Sequence, residues 1–415
     1  MTWLNTYLQE KKSFFEAKEN ESLFNFSEHS NSLDEFLLNQ FHETGFLYGS
    51  PVSLIFNHSF PENTFNKNEE LFIFLLDTFF FIWKNNDEKY ENNEKYLSAF
   101  ADSVISFYDC VIPRLTDAEK NTTNSFEKLK NITALRVQTD DLFVKYNYTG
   151  YLYNSLLCID ILMYAAWLKD SGSLNRDTFE MILLSFLKII TSAGNADEKI
   201  LGNAEKLLLG NFIRSLSLKE KHEEIALKNI THETTQHFYD SLFLPSPALK
   251  IMAFEFALIV VLSDAVISDT EKIFIDRMAK QLEIKETEAE KYLSRIESFV
   301  YNNWDNRVTD DKISFRFLKN GIQKRIEKIL TKNKQKLIQE LNESKELLQL
   351  LNKYSQQNLT PEEKKKVKEQ LLDMLRTIPS LAIFLLPGGA LILPVLLKII
   401  PKEYLLPSSF RENQE

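Results

Sequence analysis

Apolar residues recur every three or four positions along most of the chain, which predicts amphipathic helices joined by short loops. The most apolar run of the first half is residues 69–84, EELFIFLLDTFFFIWK. It is too short to span a bilayer and contains Asp77, so it predicts a buried core helix. Residues 152–169 are apolar on nearly every helical face, which predicts a helix at the centre of a bundle. The pattern therefore predicts an all-α fold of multi-helix bundles.

Helix ends are marked by residues with special backbone preferences. Gly45 predicts the end of a helix, since glycine adopts the left-handed conformation without strain. Residues 244–250, LPSPALK, predict a connector because their two prolines favour extended backbone. Near the end of the chain, Thr360 and Glu363 have capping-box spacing around Pro361, which suits the first turn of a helix. This pattern predicts a helix from Pro361 to about residue 376.

Residues 313–351 have the pattern of a charged helix with a narrow apolar stripe. Its apolar positions are Ile322, Ile326, Ile329, Leu337, Leu341, Leu348 and Leu351. The heptad repeat breaks at Asn333 and at Ser344, so a coiled coil is compatible with the pattern but not required by it.

An apolar stretch, residues 378–400, follows and has no charged residue before Lys398. A continuous helix of this length would be roughly 34 Å long, close to the ~30 Å hydrocarbon core of a bilayer. Its prolines recur along one helical stripe, and each interior proline frees a carbonyl that hydrocarbon cannot satisfy. Three interpretations remain: a spanning helix packed in an oligomer, a re-entrant hairpin, or an apolar hairpin docked on the helical body. The residues that define this predicted membrane segment are Pro379, Pro387, Gly388, Gly389, Pro394, Lys398 and Pro401.

The pattern of leucines and prolines continues beyond this stretch in Leu393, Pro394, Leu397, Lys398, Pro401, Leu406, Pro407, Ser408 and Phe410. With these residues, the tail resembles the membrane segment of the LETM family, the leucine-zipper and EF-hand transmembrane proteins of the mitochondrial inner membrane. In that family a ribosome-binding-like helical domain follows the segment. The whole layout resembles the LETM-related biofilm-associated proteins of Bacteroidetes.

This resemblance implies a location and a set of partners. It places the helical body on the cytoplasmic side of the inner membrane, anchored by the C-terminal segment. The implied partners are membrane lipids, and membrane proteins or further copies of the chain through that segment. The ribosome is a partner by resemblance only.

Charge is distributed unevenly along the chain. Residues 1–300 contain 29 Lys and Arg against 45 Asp and Glu, whereas residues 301–377 contain 17 against 11. The acidic part would repel phosphates, so we expect no DNA partner. The basic part directly precedes the apolar stretch, where attraction to anionic lipid headgroups would help attachment.

Two acidic segments form a weak internal repeat, residues 196–209 and residues 263–275. The candidate metal ligands within the repeat are Asp197, Glu205, Asp264 and Glu271. Converging carboxylates of this kind would bind a divalent cation, the one cofactor that the sequence suggests. The alternative is purely structural, because residues 268–271, SDTE, have capping-box spacing and carboxylates are favoured at helix N-termini.

The second copy of the repeat resembles the tellurite-resistance TerB-like domain, an all-helical fold. The resemblance rests on Asp264, Ile267 and Glu271 and covers roughly residues 175–300. It implies divalent-cation binding at these carboxylates. The glycine that usually follows the aspartate in that family is Ala265 here.

Motifs for catalysis are missing from the sequence. It contains no Gly-rich phosphate loop, nucleophile elbow or EF-hand loop. His232 and His237 are five positions apart, whereas a zincin needs two histidines at i and i+4. Cys110 and Cys158 lack metal-site spacing and predict two buried thiols in a reducing compartment. The N-terminus lacks the pattern of a signal peptide, so we expect the bulk of the chain in the cytoplasm.

Together these features predict a non-enzymatic membrane-associated helical protein, a tether or scaffold linked to biofilm or envelope stress. The alternatives are a LETM-like component of cation transport and a TerB-like divalent-cation sensor. The predicted domains are an N-terminal helical domain at 1–172, a TerB-like domain at 173–300, basic charged helices at 301–377 and the LETM-like apolar segment at 378–415.

Overall fold

The computed structural model of the 415-residue chain is built from helices. It describes residues 32–48, 67–86, 94–117, 122–136, 155–170, 174–194, 216–231, 242–262, 269–303, 330–356 and 360–377, with a few single positions between them. These residues form helices and no strand, which confirms the predicted all-helical class. The chain divides into two compact units, Met1–Val261 and Leu262–Glu415, called here the N-terminal and C-terminal units. This division falls within the predicted segment 173–300, and the three predicted domain boundaries stay predictions.

Nine α-helices of the N-terminal unit are described. They are α1 (Leu33–Thr44), α2 (Lys67–Asn86), α3 (Glu94–Val111), α4 (Pro113–Asp117), α5 (Ser125–Arg136), α6 (Leu157–Lys169), α7 (Arg176–Gly194), α8 (Glu220–Thr231) and α9 (Pro247–Val261). A short 3-10 turn, Phe46–Tyr48, follows α1. The described helices of the C-terminal unit are α10 (Asp269–Gln281), α11 (Glu286–Asn303), α12 (Lys334–Glu343), α13 (Lys345–Gln356) and α14 (Pro361–Thr377).

The core of the N-terminal unit is built around α2 and α6, which pack against each other. Residues 71–83 of α2 are all buried, Asp77 included, and residues 157–165 of α6 are buried on every face. Edge-to-face aromatic contacts join the helices, with the Phe79 ring centroid 5.0 Å from that of Tyr164. Helices α7 and α9 form another closely packed pair. Both predicted core helices are therefore confirmed.

Helix ends follow the expected backbone rules, with one correction. Gly45 terminates α1 in the left-handed conformation, φ 77°, as predicted. The predicted connector 244–250 is too long, because α9 already begins at Pro247. Proline suits the first helical position, where its missing N–H is not needed, and the Leu249 N–H donates to Ser246 Oγ at 3.2 Å.

In the C-terminal unit, α10 and α11 pack together, and α12, α13 and α14 form a second group. The sequence predicted breaks of the heptad repeat at Asn333 and Ser344, and the structure has helix boundaries there, since Asn333 precedes α12 and Ser344 separates α12 from α13. The single charged helix predicted for 313–351 is therefore wrong over its described part. The predicted helix from Pro361 is also confirmed and extends to Thr377.

Candidate functional site

Helix α14 leads directly into the predicted membrane segment, so the start of this helix is the first part of the candidate site. Thr360 Oγ1 accepts a hydrogen bond from the Glu363 N–H at 3.2 Å. Glu363 Oε2 in turn accepts from the Thr360 N–H at 3.0 Å. This reciprocal pair is the predicted capping box, and it satisfies two backbone donors that a helix start otherwise leaves free.

Leucine and valine side chains at i and i+4 hold α12, α13 and α14 together. The buried pairs are Leu337 and Leu341 on α12, Leu347 and Leu351 on α13, and Val367 and Leu371 on α14. Of the predicted stripe, Ile322, Ile326 and Ile329 lie outside the described residues. Among the described positions the prediction is wrong at Leu348, which is only half-buried whereas Leu347 is fully buried. The break at Ser344 restarts the helix, so the apolar face of α13 is set by its own packing and not by continuation of the earlier heptad.

Ion pairs connect α13 to α14 at the surface of this group. Lys353 Nζ donates to Glu363 Oε1, and Lys366 Nζ donates to Glu346 Oε1 at 2.9 Å. The amide of Gln370 donates to the second oxygen of Glu346 at 2.6 Å. These hydrogen bonds lower the pKa of both carboxyl groups and raise the pKa of Lys366. Since most of these side chains are solvent-exposed, the pairs orient α14 on α13 more than they stabilise the fold.

The predicted membrane segment itself lies outside the described residues. This applies to Pro379, Pro387, Gly388, Gly389, Pro394, Lys398 and Pro401. Among the helices that the structure describes, none combines the length and the apolar character needed to cross a bilayer.

Of the predicted metal ligands, only Glu271 falls in the described part of the chain. It lies in the first turn of α10 and is buried, with 5% of its surface exposed. Asp197, Glu205 and Asp264 lie outside the described residues, as do His232 and His237. The described ranges contain no group of three His, Cys, Asp or Glu side chains that could hold a metal ion. Divalent-cation binding by the acidic repeat thus stays a prediction.

A buried ion pair that the sequence pattern did not predict joins α5 to α6. Arg136 donates from Nε to Asp160 Oδ2 at 2.6 Å and from Nη2 to Oδ1 at 2.9 Å. The Tyr108 hydroxyl donates to the same carboxylate at 3.1 Å. Arg136 Nη1 also donates to Ser217 Oγ at 3.2 Å. Burial and the nearby Asp160 charge raise the pKa of Tyr108, so the phenol stays protonated and keeps donating.

Two further buried carboxylates are paired in the N-terminal unit. His42 Nε2 lies 2.8 and 2.7 Å from the two oxygens of Glu255, joining α1 to α9. The Tyr7 hydroxyl donates to Asp77 Oδ1 at 2.7 Å. Asp77, Asp160 and Glu255 are each the only charged residue within the apolar run of their helix, at 71–83, 157–168 and 251–261. An isolated carboxylate in such a helix is the sequence signal that could have predicted these pairs, because a buried charge needs a partner.

Both cysteines are free thiols, but only one of them fits the predicted burial. Cys158 is buried, and that burial, with the nearby charge of Asp160, raises the pKa of its thiol. Cys110 is half-buried and donates to the Leu174 carbonyl at 3.3 Å. The prediction of two buried thiols is therefore wrong for Cys110, which lies near the end of α3.

Comparison with known proteins gives a match for the end of the chain. Residues 359–415 match the family model described as LETM1-like, RBD. No curated protein and no solved structure matches the chain. The sequence resemblance placed the ribosome-binding-like domain of the LETM family after the apolar stretch, whereas the match covers α14 and that stretch together. Residues 359–415, with α14 as their described part, are thus similar to the LETM1-like RBD family.

Proposed function

We propose that the chain is a non-enzymatic, membrane-associated helical protein in which residues 378–415 attach the helical body to the cytoplasmic side of the inner membrane. Its role is that of a tether or scaffold. The observation that carries the proposal is the similarity of residues 359–415 to the LETM1-like RBD family, which agrees with the LETM resemblance read from the tail. The comparisons lend no support to a biofilm role, which remains a prediction from the layout of the chain.

The physical support for attachment comes from α14, which precedes residue 378, and from the apolar stretch that begins there. Helix α14 is fixed at its start by the capping box and along its length by packing on α12 and α13. The 23 residues that follow are uncharged up to Lys398. Lysine and arginine outnumber acidic residues in 301–377, which favours an anionic lipid surface.

Membrane fractionation tests the attachment. We expect the full chain to stay in the membrane pellet after a carbonate wash, whereas a chain stopped at Thr377 is released into the supernatant. If both forms are soluble, the apolar stretch is part of a soluble core and the proposal fails. If both stay in the washed pellet, the attachment lies elsewhere in the chain and the proposal fails as well.

A matched pair of single substitutions makes the test specific to bilayer insertion. Leu391→Asp places a charge near the middle of the uncharged stretch, where an aspartate costs about 2.5–3.5 kcal/mol of insertion free energy. Ser408→Asp makes the same change beyond the stretch. We expect Leu391→Asp to reduce the washed pellet fraction and Ser408→Asp to leave it unchanged.

Cation transport is the second candidate function, and the LETM1-like similarity is the observation that favours it. Against it, the sequence has no ionisable residue between Arg376 and Lys398, whereas proton-coupled exchange generally uses one within the membrane. Reconstitution into vesicles loaded with a potassium- or calcium-sensitive dye distinguishes the two functions. A tether leaves the ion gradient intact, and a transporter dissipates it.

The ribosome is a further proposed partner, supported by the same similarity alone. Co-sedimentation of the full chain with ribosomes at two salt concentrations tests it. Binding that persists at the higher salt would support the partner, and loss at both concentrations would remove it.

A further inference from the structure

Helix α8 buries few of its described side chains and follows an apolar turn. Among its described side chains, residues 220–228, Ala226 alone is buried. Ile225 on the same helix is 47% exposed. In contrast, Leu216 and Leu218, in the turn that precedes the helix, are buried. The apolar anchor of this region therefore consists of Leu216 and Leu218 in the turn. Among the described side chains of the helix, Ala226 adds a small apolar contact.

A polar cluster, called here the Glu180 latch, connects this turn to α7. The Lys219 N–H donates to Glu180 Oε1 at 2.8 Å. The Lys219 ammonium lies 3.0 Å from Glu180 Oε2 and donates to Asp177 Oδ1 at 2.6 Å. His222 Nδ1 lies 3.0 Å from Glu180 Oε1, but the geometry is not that of a hydrogen bond. The hydrogen-bond donors of the latch all belong to Lys219, and both carboxylates belong to α7.

The turn beside the latch has a strained backbone. Ser217 has φ 53°, which lies in the left-handed region. That conformation is unfavourable in free energy for any residue with a β-carbon. The Ser217 hydroxyl accepts from Arg136 Nη1, so the turn is held on both sides, by α5 at Ser217 and by α7 at Lys219. Such a conformation persists where surrounding contacts determine it, so the contacts of Ser217 and Lys219 fix the direction in which α8 leaves the turn.

We propose that α8 is a hinged helix, held at its N-terminal end against α7 by the Glu180 latch and released about residues 216–218 when that latch is broken. The turn keeps its leucine anchor and its contact with Arg136 during release. Among the described side chains, those that lose contacts on release are the residues of the latch and Ala226. Release is therefore local, and the rest of the N-terminal unit keeps its packing.

Hydrogen exchange on the full chain, followed by mass spectrometry, tests the hinge. Glu180→Gln keeps the size of the side chain but removes its charge. We expect the amides of residues 224–228 to exchange about ten- to a hundredfold faster, as loss of a charge-assisted hydrogen bond predicts, while α7 and α9 keep their protection. Unchanged exchange in 224–228 would overturn the proposal. Equal acceleration in α7 and α9 would also overturn it, because the loss would then be global.

The helix supplies its own control. Glu224→Gln makes the same chemical change on α8 itself and breaks the exposed pair with Lys228, leaving the latch intact. We expect no acceleration in this variant, and an effect equal to that of Glu180→Gln would contradict the hinge. If Glu180→Gln does not fold, Lys219→Met removes the ammonium from a side chain that is 38% exposed and keeps the backbone donor. It should accelerate the same amides, and its failure to do so would equally contradict the proposal.

Discussion

Replacing Arg136 by methionine should destabilise the N-terminal unit strongly, because it leaves the Asp160 carboxylate buried without its cation. The carboxylate is fully buried and accepts two hydrogen bonds from Arg136 and one from Tyr108. After Arg136→Met only the Tyr108 hydroxyl remains among these donors. Removing one partner of a buried pair typically costs about 3–5 kcal/mol. For a unit of this size, that loss lowers the melting temperature by roughly 10 °C.

Urea unfolding of the full chain, followed by tryptophan fluorescence to which buried Trp83 contributes, measures the loss. The double variant Arg136→Met with Asp160→Leu should recover most of the stability, since it removes both charges and fills the space with apolar groups. Glu224→Gln, which breaks an exposed ion pair on α8, should leave the midpoint unchanged. The reasoning is refuted if Arg136→Met costs less than about 1 kcal/mol, or if the double variant is no more stable than the single one.

Three smaller perturbations test other parts of the fold. Thr360→Ala should cost about 1 kcal/mol of α14 stability by removing the capping box, and unchanged hydrogen exchange in α14 would contradict that role. Gly45→Ala should cost about 1 kcal/mol or more because φ is 77° at that position, and an unchanged urea midpoint would contradict the strain argument. Burial by itself raises the pKa of Glu180. The hydrogen bonds from Lys219, together with the nearby His222 ring, have a larger effect, so the pKa of Glu180 is lowered. Its ionised form therefore stabilises the fold above the unfolded pKa of about 4.5, and this contribution is lost as the pH falls through the lower folded value. The stability difference between wild type and Glu180→Gln should accordingly be largest near neutral pH and shrink in acid, and a constant difference would contradict the assignment.

Local pattern was sufficient wherever neighbouring residues decide the structure. Several features that depend on a few adjacent residues are observed. They are the capping box at Thr360, the left-handed end of α1 at Gly45 and helix boundaries at the heptad breaks Asn333 and Ser344. The connector at 244–250 failed for a local reason too. Proline is compatible with extended backbone and with the first turn of a helix, and Ser246 as a cap favoured the helix.

The candidate site could be predicted only in outline. The LETM resemblance of the tail agrees with the match of residues 359–415, because a repeated pattern of leucines and prolines can be recognised within a single stretch. The polar contacts of the N-terminal unit could not be predicted in this way. Glu180 and Lys219 are 39 positions apart, and His42 and Glu255 are 213 apart, so no local window contains both partners.

The sequence by itself determined the helical class, the two buried core helices and the start of α14 at its capping box. These follow from periodicity and from residue-specific backbone preferences, which act over one or two helical turns. Tertiary structure alone decided which partner each buried carboxylate meets, and that Leu347 and not Leu348 faces the α12–α14 core. Each of these depends on how helices distant in sequence are placed against one another, and burial then requires every charge to find a partner there.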